Sequence, residues 1–325
     1  MTRASGLEST PRLGTIVAGL SLVLAASGTM VQARLNADLV AMTGNPLQVS
    51  LINLVVAASA AASIMLMVPG LRTSLGVTVM AIRTGLLRPW MLLGGLLGGY
   101  YVAIQGSAAQ AVGVAVFTVA VVAGQTAAAL VVDKLGISPM GRKSITVQRV
   151  LAALLAVGAV LVVAAGRMSE RGTGSVELLL VFVLSASAGA ASALQQAVNG
   201  HVAAVSHRGV TAAWINFVGG AIVMAIVVTI VAWGTRIDVT PIPASSWYLL
   251  GGGLFGLVYI ATVSWVVRLV GVLSASLLTL VGLLGGSVLL DAFVPTVGST
   301  VNWQLILGVA LTGLAVLLVS RSSRT

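Results

Sequence analysis

Apolar blocks, separated by polar or Gly/Pro breaks, run the length of this chain. They predict ten spans, near 13–35, 46–68, 89–107, 110–132, 145–166, 176–199, 210–233, 246–267, 269–291 and 302–320. Each approaches the roughly 20 apolar residues that a membrane-crossing helix needs. No connection is long enough to hold a folded soluble domain. The first block follows Arg3 and Arg12 and leads into small residues, as a secretion signal does. Yet the run from Leu13 to Val31 exceeds the apolar core of such a signal, about 7–15 residues, so it reads as a span.

Composition removes most other classes. Of the 325 residues, 58% are hydrophobic and 7% are charged, with a mean hydropathy of +1.10. Soluble domains carry about 25% charged residues. A soluble enzyme, a disordered chain and a nucleic-acid-binding domain are therefore excluded, and a polytopic membrane protein remains. There is no cysteine, which excludes disulfides, thiolate catalysis and iron–sulfur ligation. His201 and His207 cannot by themselves build a histidine-rich metal site. No metal or cofactor is expected.

The net charge of +10 does not point to nucleic acid, because the basic residues are scattered over short loops. Their distribution sets an orientation instead. With the N-terminus inside, only Arg34, Arg167, Arg171 and Arg236 of the 17 basic residues fall outside. Both termini are thus expected in the cytoplasm, with tails at 1–12 and 321–325 and an extracytoplasmic linker at 167–175.

The two halves align with each other. Gln32, Asn36 and Ile52-Asn53 match Gln195, Asn199 and Ile215-Asn216 at an offset of 163. Trp90, Gly94 and Gly95 match Trp247, Gly251 and Gly252 at an offset of 157. Gly124 and Asp133 match Gly282 and Asp291 at an offset of 158. The chain therefore reads as two five-helix units, 13–166 and 176–320. Five is odd, so the second unit enters the membrane inverted. The charges agree: Lys134 faces the cytoplasm and its counterpart Ala292 does not. Inverted repeats about an axis in the membrane plane are a common plan of secondary transporters.

These residues carry a resemblance. The chain resembles the drug/metabolite transporter (DMT) superfamily, also called EamA-like, whose ten-helix members are two inverted five-helix units. Within it, the chain is similar to the inner-membrane exporter branch labelled YdcZ-like. The motifs are Gln32-x-x-x-Asn36, Trp90 with Gly94-Gly95, and Gly124-Gln125 followed by Asp133. The second unit repeats them as Gln195/Asn199, Trp247 with Gly251-Gly252, and Gly282 with Asp291. It departs at Leu283, which replaces the glutamine, and at Val294, where the pattern has a glycine. The resemblance implies a bacterial small-molecule transporter that exports its solute, without naming that solute. It also implies a shared cavity lined by spans one, three, four, six, eight and nine.

Amides inside a bilayer are costly unless hydrogen-bonded. The candidates for a solute pathway are Gln32, Asn36, Asn53, Gln125, Gln195, Asn199 and Asn216, with Tyr101 and Tyr259. A hairpin turning near 44–45 puts Asn36 and Asn53 at equal depth, and the same arithmetic pairs Asn199 with Asn216. Two roles stay open: hairpin glue, worth about 0.6 kcal/mol on average and up to about 1.7, or a cavity lining that bonds solute. A helix starting at Leu13 carries Gln32 roughly 28 Å onward, near the outer face. By inversion Gln195 lies near the inner face, so the two amide clusters are expected at opposite mouths. Gln125 is the most deeply placed lone amide.

Gly94, Gly95, Gly98 and Gly99, with Gly251, Gly252 and Gly256 and with Gly282 and Gly286, recur at spacings that let backbones approach closely. Asp133 and Asp291, at the ends of matched helices, are the candidate proton-coupling acids. They also read as interfacial structural acids. Arg34 and Asp38, four residues apart, read as a local ion pair. A second class, a membrane enzyme, would need clustered acids, which seven dispersed ones do not supply. A third, a non-transporting scaffold or partner protein, stays open. The expected partners are the bilayer and a small solute, with a homodimer possible.

Overall fold

The computed structural model describes residues 13–137, 141–142, 144–171, 176–235, 239–294 and 303–322. The tail at 1–12, the side chains of 167–175 and those of Arg268 and Asp291 fall outside the described residues. Among the described residues every regular element is helical. Six helices there are long and apolar enough to cross a bilayer. Shorter apolar stretches at Val150–Val163, Leu278–Leu290 and Ile306–Ala315 add to them.

Local chemistry explains the first hairpin. α1 (Leu13–Thr43) ends at Gly44, whose positive φ of 65° suits a residue without a Cβ, and the Gly44 N–H donates to the Val40 carbonyl. Asn45 then caps α2 (Pro46–Met67), accepting from the Gln48 N–H at 3.1 Å, with Pro46 at the first helical position. In the second half, α7 (Val176–Ser206) and α8 (Gly209–Thr235) make the matching hairpin. His207 there takes the left-handed conformation, φ 56°, at the position matching Gly44.

Three features depart from the ten expected spans. First, α3 (Pro69–Arg83) occupies what reads as a loop. At 15 residues it is too short to span, and its arginines mask it in a hydropathy reading. Leu71, Ser74, Thr78 and Ala81 are its buried face, at helical spacing. Ser74 and Thr211 share a 2.6 Å hydrogen bond that ties α3 to α8.

Second, the third span starts as a tight 3-10 turn, Pro89–Leu93, before α4 (Gly94–Val112). Its counterpart has a longer 3-10 lead-in, Ala244–Gly251. Third, spans eight and nine form one helical element, α9 (Gly252–Phe293). Its contacts along α1 show that it is not straight. Gly252 lies against Asn36, while Val263, Val266 and Ala275 all cluster with Ala18 and Leu22. Gly282 and Gly286 then lie against Val23 and Ser27. The contacts descend α1 and climb it again, so α9 reverses between Val266 and Ala275 into two antiparallel arms. A straight helix of its 42 residues would run about 63 Å and make no such return. In the first half the same reversal falls at Gly113, with φ 86° and ψ 157°, between α4 and α5 (Val114–Leu135).

α6 (Val147–Arg171) and α10 (Trp303–Ser322) pack on each other, with Gly308 against Val163 and Ala315 among Ala123, Ala152 and Ala156. Outward faces carry exposed Leu24, Met67, Leu161, Ile226, Ile230 and Trp233. An apolar exterior around a core that holds polar side chains is the arrangement a lipid solvent demands.

Candidate functional site

α1, α2, α4, α5, α7, α8 and both arms of α9 converge on a cavity. It holds about 550 Å³ of atom-free space, yet the centre of a water molecule fits in only about 50 Å³ of it. Such room takes a few waters, not a large solute.

The 14 described residues that line it form seven matched pairs. At an offset of 163 these are Thr29/Ser192, Gln32/Gln195 and Leu54/Phe217. At an offset of 158 they are Gly98/Gly256, Tyr101/Tyr259, Val102/Ile260 and Gln125/Leu283. Six pairs are alike in chemistry. The seventh sets an amide against a leucine. Among the described residues no charged side chain lines the cavity.

Five of the candidate residues, Gln32, Gln125, Gln195, Tyr101 and Tyr259, thus meet in one place. This corrects the expectation that Gln32 and Gln195 sit at opposite mouths. α1 runs on to Thr43 and α7 to Ser206, so each glutamine lies well inside its helix. Leu54 and Phe217 also bring α2 and α8 into the lining.

The four asparagines stand behind this lining. Asn53 donates to the Asn36 oxygen at 2.7 Å, as equal depth requires, and Asn36 donates to Gln105 at 3.0 Å. The second cluster differs. Asn199 and Asn216 do not pair; Gln195 donates to the Asn216 oxygen at 3.2 Å instead. The Nδ2 atoms of Asn199 and Asn216 have no partner in the protein.

Glycine lets each cluster dock on the opposite half. A Cβ at Gly94 would press on Asn199 and Asn216, and one at Gly98 on Gln195. A Cβ at Gly252 would press on Asn36 and Asn53, and one at Gly256 on Gln32. The structural match here is therefore 158, not the 157 read from Trp90 and Trp247. The longer 3-10 lead-in absorbs the extra residue. Gly251 consequently faces open space, and Gly253 makes a close contact with the Asn53 carbonyl. Gly95 meets the Gly220 backbone, Gly99 meets Ser50 and Leu54, and Gly282 and Gly286 meet α1.

The remaining expectations divide. Asp133 is buried near the end of α5 and lines no part of the cavity. Arg34 and Asp38 form their ion pair at 3.1 Å. His201 bonds the Ile137 carbonyl at 2.8 Å. Tyr100 turns away from the cavity to share a 2.7 Å hydrogen bond with Ser187. Trp90 and Trp247 are exposed in the 3-10 turns.

Sequence reasoning passed over Thr29, Ser192, Gln105 and Gln196. Gln196 donates to the Tyr259 hydroxyl at 3.1 Å. Gln105 is fully buried; a span read as 89–107 leaves it near the end, whereas the observed helix runs on to Val112 and carries it inside. Arranged like this, the site can hydrogen-bond a small solute within apolar walls. Among the described residues that line it there is no acidic or basic side chain.

The matched packing can now be set beside known proteins. The model of the family described as "Putative inner membrane exporter, YdcZ", a DMT family, matches residues 13–162 and 180–318. The chain belongs to that family. It is accordingly a multi-pass inner-membrane protein of a transporter family. No curated protein matches the chain. A crystal structure at 17% identity covers 97% of this chain and 99% of its own, with a TM-score of 0.58. That likeness concerns the fold alone.

Proposed function

We propose that this chain is a secondary-active exporter of a small solute that works by alternating access between two inverted five-helix units, 13–166 and 176–320. The observation that carries the reading is the cavity built from seven matched pairs, each unit giving one member. A path shared equally by two inverted halves is what rocking one unit against the other requires. The units meet at close glycine contacts, Gly95 on Gly220 and Gly124 on Ala186, and in shared apolar clusters such as Met30 with Leu284 and Leu54 with Phe217, packing that can shift between discrete arrangements as one unit rocks on the other. Both termini lie in the cytoplasm on this reading. On this reading any coupling to protons acts through Asp133 and Asp291 at the helix ends; among the described residues no acid lines the cavity.

The absence of cysteine gives a clean test. A single cysteine at Thr29 or Ser192 is exposed to a membrane-impermeant thiol reagent from either face of oriented vesicles. Alternating access gives labelling from each face. A non-transporting scaffold gives none, and labelling from one face alone also refutes alternation. Export is checked by comparing solutes in medium and cytosol of cells carrying the wild type or a Gln32→Leu/Gln195→Leu variant at equal abundance.

A further inference from the structure

Gln125 is only 3% exposed, lines the cavity, and neither its Oε1 nor its Nε2 has a partner in the protein. A buried amide in that state is exceptional and calls for a reason. Its counterpart across the cavity is Leu283. The other six pairs match polar with polar and apolar with apolar. Among the described lining residues this pair alone sets an amide against an apolar side chain.

We propose that the cavity binds an uncharged amphiphile in one orientation, with an amide-type head on Gln125 and an apolar end toward Leu283. This rests on the cavity being the solute path proposed above. The carboxamide offers a donor and an acceptor side by side. Its complement is a group presenting the reverse pair: a primary or secondary amide, a lactam or a urea. A carboxylate uses only the donor and an ammonium only the acceptor. Either would bring a charge into a lining that has no counter-charge among the described residues, where burial is heavily penalised. A tertiary amide lacks the N–H and leaves the Gln125 oxygen unpaired.

The test uses the purified full chain in detergent and reads binding by calorimetry, with benzamide as the probe. N,N-dimethylbenzamide, benzoate and benzyltrimethylammonium are its counterparts. The variants are Gln125→Leu and the exchange Gln125→Leu/Leu283→Gln, each first shown to elute as a monodisperse species. Losing both head-group hydrogen bonds weakens benzamide by about tenfold or more in Gln125→Leu. The exchange puts the amide at the matched position and restores affinity to near the wild-type value. The charged counterparts and the dimethyl amide bind at least about tenfold more weakly than benzamide to the wild type. Equal affinity in wild type and Gln125→Leu overturns the proposal. So does benzyltrimethylammonium binding above benzamide, or no saturable benzamide binding at millimolar concentration. Cysteine labelling from both membrane faces is unaffected by any of these results, so failure here is separable from failure of the transport reading.

Discussion

Asn36 and Asn199 occupy the same motif position in the two halves, yet truncating them should have unequal consequences. Asn36 donates to Gln105 at 3.0 Å and accepts from Asn53 at 2.7 Å. The Asn199 Nδ2 donates to nothing in the protein. Both side chains are buried, so the packing lost on truncation to alanine is similar and largely cancels in the comparison. What remains is two inter-helix hydrogen bonds. At about 0.6 kcal/mol each on average and up to about 1.7, they amount to roughly 1–3 kcal/mol. Asn53 retains a bond to the Val49 carbonyl at 3.0 Å after Asn36→Ala, whereas the Gln105 oxygen loses its donor. Asn36→Ala is therefore expected to be less stable than Asn199→Ala by about 1–3 kcal/mol. Reversible unfolding in mixed micelles titrated with SDS measures the difference. Equal destabilisation would refute the reasoning, because it would show that the repeated motif sets the energy and the observed bonds do not.

Three other substitutions probe separate parts of the fold. Gly124→Val places side-chain atoms on the Ala186 carbonyl and should lower the yield of folded protein, at about 1–3 kcal/mol or more, while Gly158→Val, which meets open space, should not; size-exclusion profiles compare them. Gln125→Leu removes two unpartnered buried atoms and should stabilise the protein by about 1–3 kcal/mol in the same SDS titration, while export falls. Asp38→Asn breaks a half-exposed ion pair and should change stability by less than about 0.5 kcal/mol, so a larger loss in that titration would mean the pair is worth more than its exposure allows.

Particular residues show what was legible beforehand. Gly44-Asn45-Pro46 is a helix stop, a cap and a helix start in succession, so the α1–α2 hairpin and the Asn36–Asn53 bond follow from local chemistry. The Arg34–Asp38 pair follows from helical spacing alone. α3 was hidden because hydropathy finds spans and overlooks a short amphipathic helix whose apolar face packs on protein. The slip from 157 to 158 was hidden because the extra residue sits in a 3-10 lead-in with no motif of its own. The Asn199–Asn216 pair failed because matched depth does not decide between competing donors, and Gln195 reached Asn216 first.

The sequence by itself determined the solvent, the helical class and the duplication. Each depends on composition or on residues compared along the chain, and a bilayer leaves a long apolar segment little choice but helix. Tertiary structure alone decided which amides face one another. Gln32 and Gln195 line one cavity, 163 positions apart in the chain, because two glycine-lined helices admit them from opposite halves. It alone left Gln125 without a partner, since only the packed cavity shows that Leu283 stands where a second glutamine would have answered it.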